Sequence, residues 1–392
     1  MAIDNPLTRI REITDRENTD IDISLFHGDS GILMLQAVLY VMSPDESLKN
    51  IINKNLNNIL DIIEGSTTDV SPTYSDGLAG IGCVIHFLHE HQIIDIDPVS
   101  FYEDIDFYLN VALESMLRDK NFDPLHGAIG IAMYFMLRKK YEPVKKIVQA
   151  LYAAAERDNG EIKWSFIYED SGQKVVDMGL SHGIAGIIFF LTKCYQCDML
   201  PEMAQELING AMIYCDHHLQ DVAAIGSYYR DFIIYDDVYT PIFSRVGWCY
   251  GDAGILYSLY HAAKAIGNSE LQLKFEGMLE HTASRRGYDE TFINDAGFCH
   301  GSTGASIIFR ALYAQTGNEC FRKTFEYWKD YTIKAVMKDL VADQPFELLS
   351  RSYEINDIHK KGLFTGIAGI GILLASCSQP LLPDTWTYYF LL

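Results

Sequence analysis

The chain has 392 residues, 48% of them apolar and 21% charged, which fits packed globular cores and excludes disorder as the default state. With 31 basic and 53 acidic side chains the net charge is −22, and so acidic a surface argues against binding nucleic acid or docking on anionic lipid. Length alone, at about 150 residues per domain, would allow two or three domains.

The opening stretch, MAIDNPLTRIREITDRENTD, is polar and has no apolar core, so no secretory signal is expected. Eight cysteines are too sparse for a disulfide scaffold. The longest weakly polar stretches, Gly179–Leu191 and Gly362–Cys377, are glycine-rich and fall short of the roughly 18 apolar residues of a membrane span. The expectation is a reduced, cytosolic protein without an integral membrane segment.

From residue 28 onward a Gly-x-x-Gly element recurs seven times, each time opening an apolar run. The copies are Gly28–Gly31, Gly77–Gly80, Gly127–Gly130, Gly183–Gly186, Gly251–Gly254, Gly301–Gly304 and Gly366–Gly369. Their first glycines are 49, 50, 56, 68, 50 and 65 residues apart, too even for chance. Runs such as Ile81–Leu88 and Ile129–Leu137 are almost wholly apolar, as a helix buried all round requires. Between them the period is helical and one-sided: Ile52, Leu56, Ile59 and Ile63 share a face, and so do Ile105, Leu109, Ala112 and Met116.

Each unit therefore reads as a helical hairpin with one buried and one amphipathic helix. Seven of them predict an all-α fold, an α/α toroid of about seven inner and seven outer helices forming one domain over residues 1–392. An open solenoid would leave a face of the inner helices bare. Glycine at each helix start would let the backbone turn, and the second glycine would let neighbouring inner helices approach. The best strand candidate is Glu161–Tyr168. Residues 158–176 and 221–243 read as irregular insertions. The second is rich in Tyr228, Tyr229, Asp231, Tyr235, Asp236, Asp237 and Tyr239, and is expected to border the cavity where the loops meet, unless it is a solvated surface loop.

The residue before each first glycine is His27, Asp76, His126, His182, Tyr250, His300 and Thr365, so four of twelve histidines share one repeat position. Cys249 and Cys299 lie one residue further out. If the loops converge, Cys249, Cys299 and His300 meet at the mouth, where two thiolates and an imidazole fit Zn2+ and leave a fourth position open. The other reading is two buried cysteines beside a packing histidine. A competing set, Cys194, Cys197, Cys215 and His218, has zinc-like spacing, but its members fall in predicted helices and read as packing residues.

GLSHGIAG, SRVGWCYGDAG and GFCHGSTG resemble the signature motifs of the LanC-like family, the lanthionine synthetase cyclases, and the likeness runs from residue 27 to residue 377. The resemblance implies one zinc on Cys249, Cys299 and His300. It also implies addition of cysteine thiols to dehydroalanine or dehydrobutyrine in a dehydrated precursor (leader-core) peptide, closing thioether rings. A lanthipeptide dehydratase and an export transporter would be partners, in a peripheral, membrane-associated biosynthetic complex. Carried over in the same way, the acid–base candidates are Asp123 (in Asp-Pro-Leu-His-Gly), His182, Arg245 and Tyr250. Asp123 could equally cap a turn, Arg245 pair with a carboxylate, and Tyr250 be simply buried; His27 and His126 read as structural. A zinc-dependent adaptor that binds glutathione or thiol peptides is the alternative function. A prenyltransferase subunit or six-hairpin glycosidase would need an aspartate ligand or paired carboxylates that are missing around Cys-His-Gly.

Overall fold

The computed structural model describes residues 6–15, 22–65, 70–95, 99–168, 172–235, 241–342, 360–378 and 384–392. Among these, seven helices start at the glycine pairs: Asp29–Met42, Leu78–Glu90, Ala128–Leu137, Ile184–Gln196, Asp252–Ala265, Ser302–Thr316 and Ile367–Ser378. All seven are buried over most of their length, and the last packs against the first, so the inner layer closes on itself. The fold is the predicted α/α toroid. Each leucine, isoleucine or phenylalanine sequestered this way contributes roughly 1.5–3 kcal/mol, which is why such residues dominate the middle of the inner helices.

Six further helices wrap this ring: Glu46–Gly65, Val99–Arg118, Tyr141–Ala154, Pro201–His217, Ser269–Ser284 and Glu319–Ala342. Their buried positions follow the helical period, as with Leu48, Ile52, Leu56 and Ile59. The seventh outer place differs from a plain repeat of hairpins. It is taken by the short helix Pro6–Thr14, which packs on both Ile367–Ser378 and Glu319–Ala342. One end of the chain thus completes the hairpin begun at the other. No helix among the described residues is long and apolar enough to cross a membrane.

The strand candidate Glu161–Tyr168 is split. Strands β1 (Glu156–Asp158) and β2 (Glu161–Lys163) form an antiparallel hairpin. After Trp164 and Ser165 the chain enters a separate antiparallel sheet of β3 (Phe166–Tyr168), β4 (Gln173–Asp177) and β5 (Phe232–Ile234), with Val175 opposite both Phe166 and Ile234. The two stretches expected to be irregular are therefore joined by β4 and β5. Strands of three to five residues carry too little period to be read in advance.

The toroid axis is filled. Residues 384–390 form a 3-10 turn, and Tyr389, Phe390 and Leu391 are buried. Trp248 Nε1 donates to the Phe390 carbonyl (2.7 Å), Tyr74 Oη to that of Tyr389 (2.9 Å), and the Phe390 and Phe298 rings lie 4.2 Å apart. The closing segment thus supports the residues directly beneath Cys249 and Cys299.

Candidate active site at the mouth of the toroid

Every glycine pair is preceded by a seven-residue loop of one design. In five of them the side chain six residues before the first glycine folds back to accept the N–H two residues on, as Asx and Ser/Thr turns do. These are Asp22 to Ser24 (2.8 Å), Ser71 to Thr73 (3.3 Å), Asn121 to Asp123 (3.2 Å), Asp177 to Gly179 (2.7 Å) and Asp295 to Gly297 (2.8 Å). Arg245 and Lys360 hold that place in the other two. The loop passes so close to the helix start that a Cβ on Gly183 would sit 2.3 Å from the Asp177 carbonyl oxygen. Space, rather than the sharp turn expected from sequence, is what this glycine supplies, since its φ is −116°. Gly251, at φ 93°, is the one that needs glycine for its backbone.

Backbone hydrogen bonds tie six of the seven loops to the next. Phe26 N donates to the Ser75 carbonyl (3.2 Å), Tyr74 N to Leu125 (3.0 Å), Leu180 N to Cys249 (2.9 Å), and Cys249 N to Cys299 (3.1 Å). Phe298 N then donates to Phe364 (2.7 Å), and Phe364 N to Phe26 (3.0 Å), which joins the last loop to the first. Among the described residues the link from the third loop to the fourth is missing. Pro124, which has no N–H, stands there, and Leu125 N donates instead to Asp123 Oδ1 (2.7 Å).

The circle brings Cys249, Cys299 and His300 together, with one ligand atom from each within 4.8 Å of the others. Cys249 and His300 are buried and half-buried respectively, and Asp295 Oδ2 stands 3.4 Å from His300 Nε2, an ion-pair contact to a side chain almost wholly shielded from water. The hydrogen bond from Cys299 holds Cys249 below the usual thiol range, against burial and with help from His300, while the same bond and burial push Cys299 up. Burial opposes protonation of His300, but Asp295 and Cys249 outweigh it and raise its pKa to about 9. Two soft sulfurs, one imidazole and a carboxylate behind the imidazole form a donor set that fits Zn2+.

The gap at Pro124 holds the second group. His182 Nδ1 lies 2.8 Å from Asp123 Oδ2, while Asp123 Oδ1 accepts from the N–H groups of Leu125 and His126, both at 2.7 Å. Asp123 therefore caps its turn with one oxygen and holds His182 with the other. Burial disfavours the His182 cation, but Asp123, then Asp177 and Cys249, raise its pKa above the ordinary value. Tyr250 Oη donates to Asp177 Oδ2 (2.8 Å) and its pKa is raised by burial and by that carboxylate. Asp177 is itself pushed up to about 7 by burial, opposed by the Gly179 N–H and Tyr250. Arg245 is half-buried on the sulfur side, where its charge favours both thiolates.

A cavity of about 430 Å3 opens at the gap, with Phe122, Asp123, Trp164, Phe166, Asp177 and His182 in its wall. Contrary to the sequence expectation, no described residue of 221–243 lines it; residues of the first insertion do. The second insertion stands behind, with β5 on β4 and Phe232 5.5 Å from the Tyr250 ring. Of its polar cluster, Tyr229 is fully buried, and Asp236, Asp237 and Tyr239 lie outside the described residues.

The competing set does not gather. Cys194 and Cys215 are buried, Cys197 is exposed, and His218 Nδ1 contacts the Tyr214 carbonyl at 2.8 Å. His27 packs edge-on against Phe364. His126 stacks on His182 (5.4 Å, 9° between planes) and reaches Asp76 Oδ2 at 3.0 Å. Sequence reasoning passed over Asp177 and Asp295. Their signal was an aspartate six residues before the first glycine, shared by Asp22.

Comparison with known proteins places these loops in a wider group. The family described as lanthionine synthetase C-like protein matches residues 19–391. The nisin biosynthesis protein NisC of Lactococcus lactis subsp. lactis is 24% identical over 417 residues, covering 96% of this chain and 91% of that protein. Among solved structures, a nisin cyclase superposes with a TM-score of 0.78 at 18% identity, covering 98% of this chain and 95% of that one.

Proposed function

This chain belongs to the lanthionine synthetase C-like family, and from that premise we propose that it is a zinc-dependent lanthipeptide cyclase. Its substrate in this reading is a dehydrated precursor peptide, and its reaction joins a cysteine sulfur to the β-carbon of dehydroalanine or dehydrobutyrine. The whole chain acts as one catalytic domain in the cytosol, alongside a dehydratase and an exporter. The observation that carries the reading is the convergence of Cys249, Cys299 and His300 on one point beside His182.

Zinc bound by these three side chains would supply a Lewis acid that turns a thiol, with a free pKa near 8.5, into a thiolate at neutral pH. The remaining work falls to the protein. The reaction forms one carbon–sulfur bond, moves the thiol proton to a base, and delivers a proton to the α-carbon, so the net change is addition of S–H across a C=C bond. His182, held by Asp123, whose carboxylate favours the imidazolium against burial, supplies the α-carbon proton. Arg245 provides a donor for the negative charge that develops on the neighbouring carbonyl oxygen, and Tyr250 joins it when its one O–H turns from Asp177 to that oxygen. The aromatic wall of Phe122, Trp164 and Phe166 holds the peptide at the gap and excludes water.

The test is direct. Purified protein loaded with zinc is incubated with a dehydrated, cysteine-containing precursor, and free thiols are counted by alkylation and mass spectrometry. Thiols should disappear at constant peptide mass. Peptide that binds with every thiol still reactive would instead mean the thiol-peptide adaptor.

A further inference from the structure

Where the backbone link between the third and fourth loops is missing, two imidazoles face each other. The His126 and His182 rings lie 5.4 Å apart between centroids and within 9° of parallel, an offset stack. Each ring presents Nδ1 to a carboxylate from the loop before its own: His182 to Asp123 (2.8 Å) and His126 to Asp76 (3.0 Å). Asp76, His126 and His182 all stand directly before the first glycine of their units.

Asp123 fixes His182 at one atom. A bond at Nδ1 alone lets the ring turn about it, and the plane of the ring decides where Nε2, the nitrogen left to carry a proton to substrate, is aimed. Tyr250 neighbours the ring at 6.2 Å but is tilted by 35°, whereas His126 lies parallel and so sets the plane. His126 is itself well held. Its N–H donates to Asp123 Oδ1 (2.7 Å), and its carbonyl accepts from Asn121 Nδ2 (3.2 Å). Its anchor Asp76 accepts from Ser75 Oγ (3.0 Å) and donates its N–H to Thr73 Oγ1 (3.2 Å). Against burial, His126 and then Ser75 and His27 hold Asp76 below the ordinary carboxylate range, so it is ionised beside the imidazole. A reacting group must be kept within about 10–20° of its productive orientation by neighbours that are themselves locked, and this chain of contacts does that.

We propose that Asp76 and His126 are positioning residues for the proton donor: Asp76 anchors the His126 ring, and that ring holds the plane of His182 across the break between the two loops. The assignment rests on the cyclase reading above, so its test pairs turnover with a signal that needs none. Zinc-loaded protein carrying 15N-histidine is read at the His182 Nδ1–H, identified among the twelve histidines by its loss in His182→Ala. In the unsubstituted protein this proton should be visible and slow to exchange with water. His126→Ala should broaden it beyond detection and lower kcat about 10–100-fold at unchanged KM. Asp76→Ala, which keeps the ring but frees it, should act in the same direction and less. His126→Phe restores a flat ring that can stack on an imidazolium and should return the signal and most of kcat; His126→Leu, without a flat face, should return neither. Zinc content should stay constant throughout. An unmoved signal in His126→Ala, a fast-exchanging proton in the unsubstituted protein, or zinc lost together with kcat would each overturn the proposal. So would His126→Phe that is as slow as His126→Ala and is rescued by added imidazole, since that makes His126 a proton carrier. Ring closure with a signal indifferent to His126 sinks the positioning role alone; a signal lost in His126→Ala of a protein that closes no rings leaves that role and removes the cyclase.

Discussion

Cys249, Cys299 and His300 sit immediately ahead of inner helices, whereas Cys194 and Cys197 close an inner helix and Cys215 and His218 close an outer one. Spacing in the chain makes both sets look like ligands. The second set is divided by the length of Pro201–His217, 17 residues or about 25 Å of helix, because the outer helix carries Cys215 back to the opposite end of the hairpin from Cys194. The first set is drawn together by helix starts that share one end of the toroid and by the hydrogen bond from Cys249 N to the Cys299 carbonyl. The lesson is that repeat position, rather than separation in sequence, decides which soft ligands meet.

Substitution can break that contrast. Cys299→Ala should abolish both zinc binding, read by elemental analysis, and ring closure; zinc at full stoichiometry in this variant would remove the ligand assignment. His182→Ala occupies the same repeat position as His300 but on the gap side. It should keep zinc and lose about 10²–10⁴ in kcat, a pairing that a purely structural histidine would not produce.

Two changes sharpen it. Asp295→Asn should leave the fold intact and weaken zinc about 10–100-fold in competition with a chelator, since only the support behind His300 is altered. Asp123→Asn should act on the pH profile. His182 has a raised pKa in the fold, so its proton is present at low pH and is lost as pH rises through that value. The alkaline limb of kcat should therefore move to lower pH in the variant, and an unmoved limb would show that His182 is not the titrating acid. The smallest effect belongs to the other set: Cys215→Ala, a buried thiol raised in pKa by desolvation, should cost about 1 kcal/mol in a denaturant melt and leave zinc and turnover unchanged.

Much of the architecture could be read before any coordinates. Gly-x-x-Gly pairs at near-even spacing locate the inner helices, and Ile52, Leu56 and Ile59 show which face of an outer helix is buried. Short elements escaped because they have no period to read: β3 spans Phe166–Tyr168 and pairs with β4, whose other neighbour β5 lies more than fifty residues further along. Asp177 escaped because its partner Tyr250 stands 73 residues away. That it begins a seven-residue loop, as Asp22 and Asp295 do, was legible only once the loops were aligned backward from the glycine.

What the order of residues determined by itself is local: where helices begin, which face of each is apolar, and which side chains ride just ahead of the glycines. These follow from backbone sterics and from the 3.6-residue period, both of which act over a single turn. Only the closed tertiary structure decided that Pro124 would interrupt the circle of loops beside His182, that Asp123 would use one oxygen for its turn and the other for an imidazole, and that Tyr389 and Phe390 would fill the axis. Those outcomes depend on contacts between residues tens to hundreds of positions apart, and such contacts exist only after hydrophobic burial has brought the last inner helix against the first.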